Sequence, residues 1–316
     1  MGADRDDADG RTDRGFDADV AVVGGGPAGC AAGVFTARAG LETTVFDRGP
    51  SSLRRCAVLE NYLGFPGGID VETFRKLARD HAETAGCRLR EALVESVALL
   101  ADGGFRLETQ DGKAHRARYV IAASKYDGSY LRGLDDPDAL FVTEERDGGT
   151  VERFDETYPD DDGRTPIDGL YVAGPLAGCG DQAIIAAGHG ATVARSLLRD
   201  RREDAGYWGR FAERYDWRRD AADRSDEWAD PDRRVELFES DAPEEYDAAE
   251  SRRLAAAYAD ERDESYVDPD TASRRADRGQ RRLAAALDDE LLLEAVDDDA
   301  IRAYVRDTGI DEPTRD

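Results

Sequence analysis

Lysine is nearly absent from this chain. Only Lys76, Lys113 and Lys125 occur among 43 basic residues, leaving 43 − 3 = 40 arginines against 70 acids, with a net charge of −27 over 316 residues. Cysteine is scarce as well. Cys30, Cys56, Cys87 and Cys179 form no C-x-x-C pair, which argues against a zinc site and against a disulfide framework. Long apolar runs are missing, since no stretch approaches the roughly 18 residues that span a bilayer. The first fifteen residues carry no apolar core of the secretory kind. Position 6 is Asp rather than Ser or Thr, so Met1-Gly2 does not open a myristoylation signal. Basic excess is missing too, and so much acid would repel nucleic acid and anionic membranes alike. The expectation is a protein of the reducing cytoplasm that binds neither nucleic acid nor membrane and carries no metal. The carboxylate runs Asp160–Asp162 and Asp297–Asp299 lack the glycine and terminal glutamate of a calcium loop.

What is present is acid. Many carboxylates, few lysines and 40% hydrophobic residues resemble the composition of proteins from salt-loving archaea. Such carboxylates stay hydrated where the Debye length is only about 3 Å. The alternative is disorder, because high charge with few aromatics resists collapse. The last 116 residues hold 35 acids and 20 arginines, a net of 20 − 35 = −15, which leaves −27 + 15 = −12 for the first 200. Disorder stays open for that C-terminal part alone.

Patterning divides the chain into an acidic tail (1–16), a nucleotide-binding domain (17–200) and a helical acidic extension (201–316). From Asp17 to Val23 the chain turns apolar and β-branched, as a buried strand is. A helix follows to Arg38, with Gly40 closing it, then a strand at 43–46. Helical spacing returns over 71–85. Strands run from Arg88 to Ala122, with turns at 102–104 and 111–112. Residues 134–168 read as an acidic loop, 170–173 as a strand and 181–199 as a helix. Further helices are expected over 202–219, 246–262, 272–296 and 297–306. Two stripes at helical spacing, Tyr207/Trp208/Phe211/Tyr215 and Leu283/Leu287/Leu291, fit core or docking surface better than a ligand box.

The strongest motif is G-x-G-x-x-G at Gly24, Gly26 and Gly29, set between a strand and a helix. The first glycine permits the tight turn, the second a close approach of backbone to a pyrophosphate, and the third close packing of helix on strand. The helix N-terminus favours an anion. Asp47 lies at the end of the second strand, near the expected offset for an acid that holds a ribose. Its charge disfavours a 2′-phosphate. FAD and NAD both fit this motif.

Beyond the glycines, the sequence resembles the FAD domain of the thioredoxin reductase family. Four segments carry the likeness: Asp19 to Gly29; Leu59-Glu60-Asn61-Tyr62-Leu63-Gly64-Phe65-Pro66; Ala117 to Ser124; and Thr165 to Ala183. The resemblance implies an α/β fold with a Rossmann-like, three-layer FAD/NAD(P)-binding domain, and FAD as cofactor. It puts cofactor contacts at Gly24, Gly26, Pro27, Ala28, Asp47, Asn61, Gly174, Gln182 and Ala183, with the adenine against backbone near Val94. Gln182 and Ala183 would open a helix aimed at the flavin's pyrimidine end, where reduction builds negative charge.

There are departures. Between Ser124 and Gly169 there is too little chain for a second nucleotide domain, and the redox Cys-x-x-Cys is missing. Pro175, Ser52 and Ser124 replace an aspartate, a glutamine and a glycine of the family pattern. Two readings stand: an FAD-dependent oxidoreductase of unknown substrate, or a non-catalytic FAD- or nucleotide-binding sensor or partner subunit. Partners would be a small-molecule substrate or an electron-donor protein, with a homodimer as a further state. C-terminal helices are available to cover the flavin. No catalytic residue can be named. Cys56, Cys179 and His189 are weak candidates, with ordinary packing as the simpler role.

Overall fold

A computed structural model of the chain describes residues 15–48, 51–146, 149–223, 230–243 and 246–309. The acidic tail therefore lies outside the described residues up to position 14. Phe16 is already part of the fold, its ring held by the guanidiniums of Arg116 and Arg118 at 5.4 and 5.0 Å.

Strand β1 (Ala18–Val23) is the centre of the sheet. It pairs in parallel with β2 (Thr43–Phe46) on one side and with β8 (Ala114–Ala122) on the other. β5 (Arg88–Arg90) extends the sheet beyond β2, and β11 (Leu170–Val172) extends it beyond β8, both in parallel. β8 is nine residues long and serves two purposes. Its last residues hold β11, while its first residues, Ala114–Ala117, pair antiparallel with β7 (Phe105–Thr109), which in turn carries β6 (Val94–Leu99).

Alternation along β1 explains the layers. Val20 and Val22 face a cluster built with Ala28, Ala32 and Val34 of helix α1 (Pro27–Arg38) and Val193, Ala194 and Leu197 of helix α4 (Ala183–Asp204). Ala21 and Val23 face the opposite cluster, with Val97, Phe105 and Leu107 of the antiparallel strands. Strands with small or branched residues on both faces are what a sheet covered on both sides requires. Helices, parallel sheet and β meander make three layers, as expected.

Helix α2 (Val71–Ala85) keeps its expected bounds. Asp70 caps it, accepting from the Thr73 N–H at 2.9 Å, and Gly86 ends it at φ +113°. The span 134–168 is not the loop expected. It holds a short helix α3 (Pro137–Leu140) and a hairpin, β9 (Phe141–Arg146) with β10 (Gly149–Phe154). The reason is Leu140, Phe141 and Phe154, buried under the meander with the Phe rings edge to face at 6.0 Å. Three apolar anchors among acids are too few to register as a period.

The expected boundary at residue 200 falls inside α4. Contacts divide the chain into one unit of residues up to 218 together with 225–265, and a second of 219–224 with 266–316. The helix expected over 202–219 does not form. α4 ends at Asp204, and only Gly209–Ala212 is helical before the chain extends. Trp208 and Phe211 turn inward instead, against Phe238 of the helix Pro231–Ser240 and Leu254 of the helix Ala248–Glu264. Ring centroids lie 4.4 Å (Trp208–Phe238) and 4.5 Å (Phe211–Phe238) apart. In the second unit, the helices Pro269–Ala284, Asp289–Ala295 and Asp298–Thr308 bury no residue. No helix among the described residues is long and apolar enough to cross a membrane.

Candidate flavin site

The glycine turn follows β1, and each glycine has its own reason. A Cβ on Gly24 (φ +119°) would lie 2.4 Å from the Ala123 carbonyl oxygen, and one on Gly29 would lie 1.8 Å from that of Gly24. These two are glycine because the protein's own backbone leaves no room. Gly26 is different. A Cβ there would meet nothing within 4 Å, although the residue lines the pocket. The missing side chain leaves a cradle at the N-terminus of α1, where Pro27 opens the helix and the first turn carries no acid. Unpaired N–H groups and the helix dipole suit a pyrophosphate at that point.

Asp47 sits at the C-terminal end of β2, 7% exposed, and takes an Arg79 Nη1 hydrogen bond on Oδ2 at 2.6 Å. Arg79 comes from α2, 32 residues away in sequence, so no local pattern announces it. On the far side of the turn, Ser124 follows β8. Its hydroxyl donates to the Asp127 carbonyl at 2.6 Å and accepts from the Tyr130 hydroxyl, 2.9 Å away. The glycine expected there by family likeness is thus replaced by a residue that pins the turn. Lys125 follows at φ +50°, the single non-glycine with positive φ among the described residues. Its ammonium lies 3.4 Å from Asp181 Oδ1 and 4.5 Å from the centre of the Tyr126 ring. The Tyr126 hydroxyl donates to Asp181 Oδ2 at 3.2 Å.

Asn61 and Gln182 meet. The Asn61 amide donates to Gln182 Oε1 at 2.7 Å. The loop that carries Asn61 docks through Leu59, Ile69, Val71 and Phe74 onto Ala183, the first residue of α4. The Tyr62 ring leans against Phe74, with centroids 4.8 Å apart and the planes tilted by 60°.

One pocket gathers Gly24, Gly26, Pro27, Ala28, Asp47, Val94 and Ala183 of the expected contacts, together with Lys125, Tyr126, Pro175 and Asp181. Asn61, Gln182 and Gly174 do not line it. The first two stand beside Ala183. Gly174 lies behind, its N–H donating to His189 Nδ1 at 3.0 Å. His189 thus positions a backbone turn and, in its neutral form, carries its proton on Nε2. The close helix packing expected at Gly188–Gly190 holds for Gly190 alone, where a Cβ would lie 2.1 Å from the Ala28 carbonyl oxygen, whereas a Cβ on Gly188 would meet nothing within 4 Å. None of the described residues of 205–265 lines this pocket.

Of the four thiols, Cys30 and Cys87 are buried, Cys179 is half-buried and Cys56 is exposed. Burial, with Asp47 nearby, pushes the Cys30 thiol up to about 12, and burial does the same for Cys87. Neither supplies a thiolate near neutral pH. Burial and Asp181 raise Cys179 as well. Among the described residues there is no cluster of metal-ligating side chains.

The glycine cradle and Asp47 share one pocket, and the Asn61–Gln182 pair stands beside it. Residues 19–57 match the family described as "FAD binding domain". The chain is 34% identical over 108 residues to the thioredoxin reductase of Aquifex aeolicus, covering 34% of this chain and 33% of that protein. It is 37% identical over 118 residues to the bifunctional thioredoxin reductase/thioredoxin of Mycobacterium leprae, covering 36% of this chain and 25% of the relative. The chain therefore spans a third or less of the length of these relatives. Among solved structures, a thioredoxin reductase from Gloeobacter violaceus matches 64% of this chain and 98% of its own, with TM-score 0.49 and 19% identity. That from T. acidophilum matches 58% and 98%, with TM-score 0.45 and 20% identity. This chain carries an FAD-binding segment related to that of thioredoxin reductases, and FAD is its cofactor.

Proposed function

We propose that the protein is an FAD-dependent oxidoreductase whose flavin exchanges electrons with a small-molecule substrate or with a separate electron-donor protein. The observation that carries this reading is the Asn61–Gln182 hydrogen bond, 2.7 Å across 121 residues. These two residues stand apart from the adenosine end of the site. By family likeness they belong to the flavin ring, and a protein that used only the adenosine would have no need to join them. The stretch between β8 and β11 supports an external electron source: among its described residues it holds α3 and the β9–β10 hairpin, with no parallel strands. FAD would be held by the α1 N-terminus and Asp47, and its ring would supply the two-electron chemistry.

Anaerobic titration of the purified FAD-loaded protein tests this, with dithionite and then NADH and NADPH, in multimolar KCl. Bound FAD that cycles between oxidised and reduced states supports the oxidoreductase. FAD that binds but resists dithionite would favour the second reading, a non-catalytic nucleotide-binding subunit.

A further inference from the structure

The Lys125–Tyr126–Asp181 cluster has no part in the adenosine half of the site, and its position across the sheet shows why. β2, which leads into Asp47, and β8, which leads into Lys125, lie on opposite sides of β1. The glycine turn stands between them. A dinucleotide laid across the turn with its ribose at Asp47 places its other half over the ends of β8 and β11 and the start of α4. Lys125, Tyr126, Pro175, Asp181 and Ala183 line the pocket there.

Two features of the cluster call for a reason. The first is Lys125 itself: one of three lysines in a chain with forty arginines, held at φ +50°, a conformation that costs a side-chain-bearing residue energy and gathers at functional sites. The second is Asp181, which sits one residue ahead of Gln182, at the end of α4 where an anion on a ligand would be welcome. Left alone, its carboxylate would oppose such an anion. Lys125 answers it at 3.4 Å, and the Tyr126 hydroxyl at 3.2 Å fixes the carboxylate in place.

We propose that the Lys125–Asp181 pair sets the electron affinity of the bound flavin: Lys125 favours the reduced, more negative ring, and Asp181 opposes it. The physical basis is Coulombic, since a charge beside the ring acts more strongly on the redox state that carries more charge. The inference rests on FAD as the cofactor and requires no particular substrate.

The test is the midpoint potential of the FAD-loaded protein, measured by dye-coupled reduction at fixed salt, together with the dissociation constant of oxidised FAD. Lys125→Asn removes the charge with a residue that tolerates the left-handed conformation. It should lower the ratio of reduced to oxidised FAD affinity at least threefold, about 14 mV for a two-electron couple. Asp181→Asn, at an exposed carboxylate, should raise that ratio by a similar factor. The double variant should return towards wild type. Should Lys125→Asn fail to fold, Asp181→Asn alone still decides, because a potential that falls or stays put overturns the proposal. Equal weakening of both redox states by Lys125→Asn would mean the ammonium serves the pyrophosphate, which also overturns it. A wild-type chain that takes up no FAD is a different failure, that of the cofactor assignment, and is visible before any variant is made.

Discussion

At the scale of single residues, the fingerprint glycines separate into those the protein needs and one the ligand needs. Gly29 and Gly190 face backbone at distances no Cβ accepts, 1.8 Å and 2.1 Å. Gly26 faces open space. Gly190→Ala should cost about 1–3 kcal/mol through overpacking where α4 crosses α1, read as a lower denaturant midpoint. Gly26→Ala should leave the midpoint unchanged or slightly higher, because its backbone is extended and alanine restricts the unfolded chain. It should still weaken FAD at least tenfold, roughly 1.4 kcal/mol, in a fluorescence titration. Opposite outcomes would reverse the assignment of roles. The motif already gave Gly26 to the ligand and Gly29 to packing. Gly29 meets Gly24 within the motif itself, whereas Gly24 meets Ala123, just past β8, and Gly190 meets Ala28 of α1, contacts that no local window contains.

At the scale of elements, regular pieces were readable where local chemistry and burial agree. α2 is the clearest case, with a capping Asp70, an apolar face at Val71 and Phe74, and Gly86 at its end. The Thr73 hydroxyl and N–H hold the Asp70 carboxyl below its ordinary value of 3.8. A carboxyl with a depressed folded value stabilises the protein above its unfolded value and loses that contribution as pH falls through the folded one. Asp70→Ala should therefore cost about 1 kcal/mol at neutral pH, and the penalty should shrink as pH falls through the acid range. Urea midpoints of both proteins across that range check it; a penalty independent of pH would mean the cap's charge plays no part. The β9–β10 hairpin and the break after α4 were not readable. Both depend on aromatic residues finding distant partners: Phe141 and Phe154 under the meander, and Trp208 and Phe211 against Phe238.

At the scale of the whole molecule, the acid-rich C-terminal part divides in two. Residues 205–265 build a small aromatic core, held at its edge by Arg234, 1% exposed and paired with Asp263 at 2.8 Å. Residues 266–309 bury nothing, and Leu283, Leu287 and Leu291 remain exposed. Phe238→Ala should cost about 3–5 kcal/mol, whereas Leu287→Ala should stay within about 0.5 kcal/mol. Denaturation followed by tryptophan fluorescence separates the two, and a large effect at Leu287 would mean that its stripe is covered. By composition both stripes look alike; only the fold tells core from surface.

The sequence alone determined the nucleotide turn and the order of strands and helices up to residue 122, by local rules, glycine sterics and alternation, that act within a few residues. The choice of FAD over NAD came from the resemblance of four segments to the thioredoxin reductase family, not from those rules. Tertiary structure decided the rest: Arg79 on Asp47, Asn61 on Gln182, Lys125 on Asp181, and the aromatic core beyond α4. Each joins residues from separate elements, and their distances are set by how the sheet, α2 and α4 stack. That stacking is a property of the folded chain as a whole and leaves no mark in any short stretch of it.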